Sequence, residues 1–117
     1  MISIDNDIDE FLRICIDCII KCQQCSMYSL GRFDTESCSR LSDECAKLCS
    51  LVSYFVKHDE ENFYKLLPLC ISMCNICADE CNKFNYEFTN ECGAACLKMA
   101  IYCRQNMSIE KKSLLSA

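Results

Sequence analysis

Residues Cys70 to Cys81 read C-I-S-M-C-N-I-C-A-D-E-C, with thiols recurring at steps of four, three and four. At about 100° per residue, those steps hold Cys70, Cys74, Cys77 and Cys81 within roughly 60° of arc on one face of an α-helix. The spacing therefore predicts a helix bearing a stripe of sulfur. The stripe rises roughly 16 Å at about 1.5 Å per residue, so it is a ladder of donors along an axis and not one compact four-ligand site.

The same rhythm recurs on both sides of this stretch. Cys15, Cys18, Cys22 and Cys25 share a face of a segment that opens with the capping-box spacing of Asp7 and Glu10, runs over about 7–29 and ends at a turn marked by Gly31. Towards the N-terminus that face meets Phe11 and Ile8. Cys38, Cys45 and Cys49 mark a helix over about 35–57, with Asp34 or Thr35 as its cap, and their face continues into Val52 and Val56. The charged K-H-D-E-E that follows reads as a loop. The opening stretch belongs to a helix over about 60–84, in which Phe63 and Leu66 extend the thiol face and Pro68 is expected to kink one long helix. Thr89 or Asn90 is expected to cap a fourth helix over about 89–107, whose face holds Cys92, Cys96, Met99 and Cys103. Residues 108–117 read as a frayed helix end or tail.

Four amphipathic helices on short connections imply antiparallel neighbours. The expected fold is all-α, an up-and-down antiparallel four-helix bundle with a cysteine-lined core, forming a single domain over residues 1–117. In that topology Cys25, Cys38, Cys81 and Cys92 meet at one pole, and Ile8, Phe11, Val52, Val56, Phe63 and Leu66 close the other. Whatever enters the core is expected to do so at the thiol pole.

The chain has 117 residues, 14 of them cysteine, and a formal net charge of −5. That length supports one modest core, so a single fold must house every thiol. Cysteine at this density means a disulfide scaffold in a secreted protein and reduced thiols in a cytosolic one. The N-terminal M-I-S-I-D-N-D-I-D-E lacks the positive and continuous apolar regions of a secretory signal, so a cytoplasmic location is expected. Asp17, Lys21 and similar residues interrupt every apolar run short of the roughly 18 residues that a membrane span needs. The acidic balance, without a large basic patch, argues against nucleic acid as a partner.

A single cysteine is an acceptable small core residue. Fourteen in matched stripes are a poor way merely to fill a core, because Ala, Leu and Val do so without oxidative liability. Disulfides between residues three or four apart on one helix strain the bond geometry, although cross-helix pairs could form in an oxidising compartment. Metal binding accounts for the pattern better. Soft thiolates select Cu(I), zinc or iron–sulfur clusters. Structural zinc takes four ligands at one point, whereas these donors are spread along an axis. Charge separates the candidates further, since buried thiolates need compensation. One monovalent ion per thiolate, with bridging sulfurs, neutralises the tube, while each four-thiolate zinc centre keeps two excess negative charges. Cu(I) also accepts two sulfur donors, which a pair three or four residues apart supplies.

The alternatives are a thiol-based redox protein and a zinc or mixed-metal sequestering module. The run C-I-D-C-I-I-K-C-Q-Q-C lacks the loop spacing and trailing proline of ferredoxins, and no C-x-x-C-H is present for covalent haem. His58 falls in the charged loop at the hydrocarbon pole and reads as solvated. Met99 reads as a core gap-filler before a thioether donor, and Met27 and Met73 as packing. No nucleophile, base and oxyanion arrangement is visible, so no catalytic residue is assigned and an enzyme is not expected.

With C-I-D-C-I-I-K-C-Q-Q-C at 15–25, C-S-R-L-S-D-E-C-A-K-L-C at 38–49, the stretch at 70–81 and E-C-G-A-A-C at 91–96, the chain resembles the bacterial copper storage proteins, over about residues 8–106. The resemblance implies a cytosolic homotetramer whose bundle cores hold multiple Cu(I) ions at roughly one per cysteine. It carries over as metal ligands Cys15, Cys18, Cys22, Cys25, Cys38, Cys45, Cys49, Cys70, Cys74, Cys77, Cys81, Cys92, Cys96 and Cys103. Two departures stand out. Met99 occupies a seam step where relatives tend to have cysteine, which lowers capacity locally. Cytosolic relatives carry histidines near the end of the third helix, where this chain has Phe84, Asn85 and Tyr86, so Met27 or Cys92 is expected to capture the ion instead.

Overall fold

A computed structural model describes the backbone of residues 4–116 and the side chains of residues 7–107. Four helices follow in order: α1 (Ile4–Ser29), α2 (Glu36–His58), α3 (Glu60–Cys81) and α4 (Glu87–Ser116). Each packs against its chain neighbour and α1 closes on α4, which sets the four at the corners of a square. Short connections reverse the direction at each step, giving an up-and-down antiparallel bundle of 52 × 21 × 21 Å. None of the described helices is long and apolar enough to cross a membrane.

The helix ends show which local signals won. Gly31 sits at φ +78°, a left-handed conformation that glycine adopts without steric cost, and reverses the chain after α1. α1 itself begins at Ile4, ahead of the capping-box spacing at Asp7. Thr35 does occupy the N-cap of α2, but its hydroxyl makes no capping bond. The K-H-D-E-E segment is not a loop: helix runs through His58 and resumes at Glu60, leaving Asp59 as the whole connection. Asp59 serves both ends. Its N–H donates to the Phe55 carbonyl, and its carboxylate accepts from the Asn62 N–H at 3.1 Å and the Asn62 amide at 2.6 Å. Glu60 and Glu61 add negative charge where the α3 dipole is positive.

α3 runs through Pro68 as one helix and stops at Cys81, short of the expected Phe84. Thr89 is not the cap of α4 but its third residue. Its hydroxyl accepts from the Tyr86 N–H at 3.2 Å and donates to the Tyr86 carbonyl at 3.0 Å, so a threonine takes the reaching-back role that Glu has in a capping box. The backbone of 108–116, expected as a frayed helix end or a tail, continues α4 to Ser116.

Every cysteine is 0% exposed, and the thiols share the core with Phe11, Val52, Phe63, Leu67 and Met99. Leu67, not Leu66, extends the α3 stripe, while Leu66 is half-buried at its flank. The helical period explains the difference. A step of four from 66 to 70 followed by another to 74 drifts about 80° off the seam, whereas 67, 70, 74 keeps alternating. Phe11 and Phe63 meet edge to face, with centroids 5.3 Å apart, and close the hydrocarbon end. Ile8 and Val56 are only half-buried there.

Candidate metal centre

Because each helix turns its four-three rhythm inward, sulfur atoms from all four meet along the axis. Cys22 lies 3.6 Å from Cys96 and 3.7 Å from Cys92, and Cys45 lies 3.8 Å from Cys74. Cys49 is 3.9 Å from both Cys18 and Cys70, and Cys77 is 4.0 Å from Cys92. All fourteen are free thiols, and these separations are far longer than the roughly 2.05 Å of a disulfide bond.

The contacts resolve into four sets whose sulfurs all lie within 4.8 Å of one another: Cys25, Cys81 and Cys92; Cys22, Cys77, Cys92 and Cys96; Cys18, Cys22, Cys45 and Cys96; and Cys18, Cys45, Cys49 and Cys74. Consecutive sets share members. Cys92 belongs to the first two, Cys22 and Cys96 to the second and third, and Cys18 and Cys45 to the third and fourth. Cys38, Cys15, Cys70 and Cys103 flank this array. Cys70 continues it from Cys49, Cys103 hydrogen-bonds Cys70, and Cys15 donates to the Cys49 carbonyl at 3.1 Å.

This corrects one step of the sequence argument. Each stripe alone spreads its donors, but four interleaved stripes gather compact four-thiol sets. A tetrahedral centre with metal–sulfur bonds of about 2.3 Å has edges near 3.8 Å, so one such set taken alone would suit zinc. Sharing is what isolated zinc centres do not accommodate. A sulfur that belongs to two sets must bridge, and bridging thiolates with monovalent ions keep the tube close to neutral.

No positive side chain reaches the ladder: the only buried polar side chains among the described residues are Ser29, Thr35, Ser42 and Thr89. Hydrogen bonds to neighbouring thiols, Cys18 foremost, raise Cys22 and Cys96 above the ordinary thiol range, with burial adding to the shift. Cys25 is raised by Cys81 and Cys92 and then by burial, Cys103 by Cys70 and then by burial, and Cys38 chiefly by burial. These thiols are protonated at neutral pH, and a bound cation must displace their protons.

Cys38 and Cys25 lie at the expected thiol pole, and both are fully buried. No sulfur reaches the surface there, Cys92 included, so direct capture by Cys92 is not what the structure offers. Met27 is 67% exposed, against the expectation that it is a packing residue. Met99 is fully buried on the seam, and His58 is an exposed last residue of α2 whose ring lies 4.6 Å from that of Tyr54.

Over the pole, Tyr86 stacks on Phe88 at 5.3 Å, with the Arg32 guanidinium 4.3 Å from its ring and its hydroxyl donating to Asp34. Phe84 stacks on the same ring at 6.5 Å. Beside this brace, Glu80 accepts from Ser37 and from Lys83, and Cys38 donates to the Glu80 carbonyl at 3.9 Å. Lys83 and then Ser37 hold the Glu80 carboxyl below its usual range. The sequence reading missed this brace; the alternation of aromatics at 84, 86 and 88 was its available signal.

A profile of the copper storage protein family, Csp, matches residues 4–108. The chain is 30% identical over 96 residues to the uncharacterized cysteine-rich protein YhjQ of Bacillus subtilis, an alignment that covers 80% of this chain and 89% of that one. Its fold is similar to that of the Cu(I)-bound copper storage protein BsCsp3, with a TM-score of 0.78, 29% identity and coverage of 83% of this chain and 94% of that one. The apo form of copper storage protein 3 from Bacillus subtilis superposes with a TM-score of 0.77 at 30% identity, covering 83% and 95%.

Proposed function

Since the chain belongs to the copper storage protein family, we propose that Cu(I) is its cargo, held in number by the core thiolates at roughly one ion per cysteine. All fourteen cysteines, from Cys15 to Cys103, act as ligands in this reading. The observation that carries it is the array of buried thiol sets that share members, with no internal positive charge. Such an array is a sink for monovalent soft cations, and the Cu(I)-bound relative supports the choice of copper. The protein acts as a store and not as a catalyst. A cytoplasmic location suits it, because thiols stay reduced there.

Titration of the reduced protein with Cu(I) against a chromophoric chelator tests this. The expected end point is on the order of one ion per thiol; saturation at only about one or two ions, as for an ordinary soft-metal site, sinks the proposal.

One observation favours a second reading, a zinc or mixed-metal store: the compact four-thiol sets have tetrahedral edges. Elemental analysis of protein purified from unsupplemented cells separates the two, with copper expected in excess of zinc. We also read the protein as a homotetramer. Ile16, Ile20, Leu69 and Ile76, expected either to complete the bundle or to build an interface, are 44–56% exposed and so do not complete this one. Sedimentation of the apo protein at four times the chain mass is the outcome that supports this assembly.

A further inference from the structure

We propose that Cu(I) moves inward along the sulfur ladder by exchange at shared thiols, and that Cys92 is the link between the outermost set and the interior. The inference rests on the storage reading above and adds a route to it.

Three observations point this way. Phe11, Phe63 and Leu67 seal one pole, while Cys25 and Cys38 end the ladder at the other, so the ladder comes closest to solvent without a hydrocarbon seal at the Cys25 end. The outermost set, Cys25 with Cys81 and Cys92, joins the next through Cys92 alone, whereas every later pair of sets shares two thiols. The contacts that continue inward from Cys92 are 3.7 Å to Cys22 and then 3.6 Å from Cys22 to Cys96. An ion bonded at about 2.3 Å to one sulfur reaches a second at such a distance before it leaves the first.

Each step balances without a change of oxidation state. A Cu–S bond to the Cys22 sulfur forms as its S–H breaks. The proton passes to the Cys92 sulfur as the Cu–S bond there breaks. Copper stays Cu(I), the tube stays neutral, and one proton moves outward for each ion that moves inward, leaving to water at the outer end. Isolated sites, each filled directly from solvent, would need no shared thiols. A core whose thiols are all buried leaves ligand-to-ligand exchange as the way to reach Cys49, Cys70 and Cys103. Cys81 and Cys77 share the thiol face of α3 one turn apart, which gives a side route around Cys92 and sets the expected effect at slowing and not abolition.

The test compares variants that each remove one thiol from opposite ends of the ladder. Cys92→Ser and Cys92→Ala remove the link; Cys103→Ser and Cys103→Ala remove a thiol at the sealed end. Serine oxygen is a hard, poor donor for Cu(I), and alanine is none. Loading is followed by stopped flow through the Cu(I)–thiolate ultraviolet absorbance, and helical content is checked by circular dichroism for each apo variant. The two pairs should reach similar final capacities, but the Cys92 variants should fill about tenfold or more slowly, a factor that a barrier rise of ~1.4 kcal/mol produces. Cys103 variants, which also lose a ligand, should lose capacity to the same extent without that slowing. Equal rates for the two pairs overturn the route, as does slowing confined to the Cys103 variants, which would place the entrance at the other pole. The storage reading stands or falls separately, on the wild-type end point.

Discussion

Met99 occupies the step of α4 where the rhythm of its helix would set a thiol, and it is wholly buried among sulfurs. Its side chain fills more of the seam than cysteine would, which is the role that an adaptable thioether plays in an irregular core. Met99→Leu conserves volume, so apo stability should change by less than about 1.5 kcal/mol. Cu(I) capacity, measured by chelator competition, should stay at the wild-type value; a drop of an ion or more would make the thioether a ligand. At this scale the sequence carried a great deal. Cysteine stripes are legible because a thiol on a helix either follows the period of the buried face or leaves it, and all fourteen follow it. Leu66 and Leu67 were harder to separate, since either lies within a turn of Cys70 and only the alternation of steps decides between them. The sharing of Cys92, Cys22 and Cys96 between sets was not legible at all, because the axial register between helices is set by tertiary packing.

Between elements, two residues at the helix junctions do more than composition suggested. Asp59 is the entire connection between α2 and α3, and it caps α3 through the Asn62 N–H. Asp59→Ala should cost the apo protein about 1 kcal/mol in chemical denaturation, the usual size of a lost N-cap. Copper capacity should not change, because the junction lies at the hydrocarbon pole. Gly93 sits inside α4 against the end of α3, where an added Cβ would meet the Asn82 side-chain oxygen at 2.9 Å and the Cys81 Cβ at 3.6 Å. Asn82 is exposed and its amide can swing away, while the second contact is ordinary. Gly93→Ala should therefore stabilise the apo bundle by up to about 1 kcal/mol through helix propensity. Destabilisation in the same denaturation experiment would mean that the α3–α4 approach at Cys81 has no slack. Loop boundaries were the least legible part of the sequence: K-H-D-E-E is polar enough for a loop, yet Asp59 alone satisfies both helix ends.

The bundle as a whole couples its stability to pH through the thiols, with opposite signs in the empty and loaded forms. In the apo protein, thiol neighbours raise Cys22, Cys25, Cys49, Cys74, Cys96 and Cys103 and burial raises Cys38, while Cys18, Cys45, Cys70 and Cys92, partners in the same hydrogen bonds, are lowered; burial raises both groups and sets the net direction. An unfolded thiol titrates near pH 8.5. Below that pH both states hold their protons, and the stability linked to the raised thiols is fully present. Above it the unfolded chain releases protons that the folded core keeps, so the unfolded state binds fewer and stability falls as pH rises. Each thiol that the folded core keeps protonated lowers stability as pH rises above that value. With several acting together, the melting temperature of the reduced apo protein should fall steeply between about pH 8.5 and 10. In the loaded protein cations have replaced the protons, so the same interval should leave its melting temperature nearly unchanged, and acid should strip the copper as protons compete for each thiolate. Thermal melts of both forms under inert gas check the pair of outcomes. An apo melting temperature that stays flat to pH 10 would mean that the folded thiols release their protons in step with the unfolded ones, so that the core does not hold them.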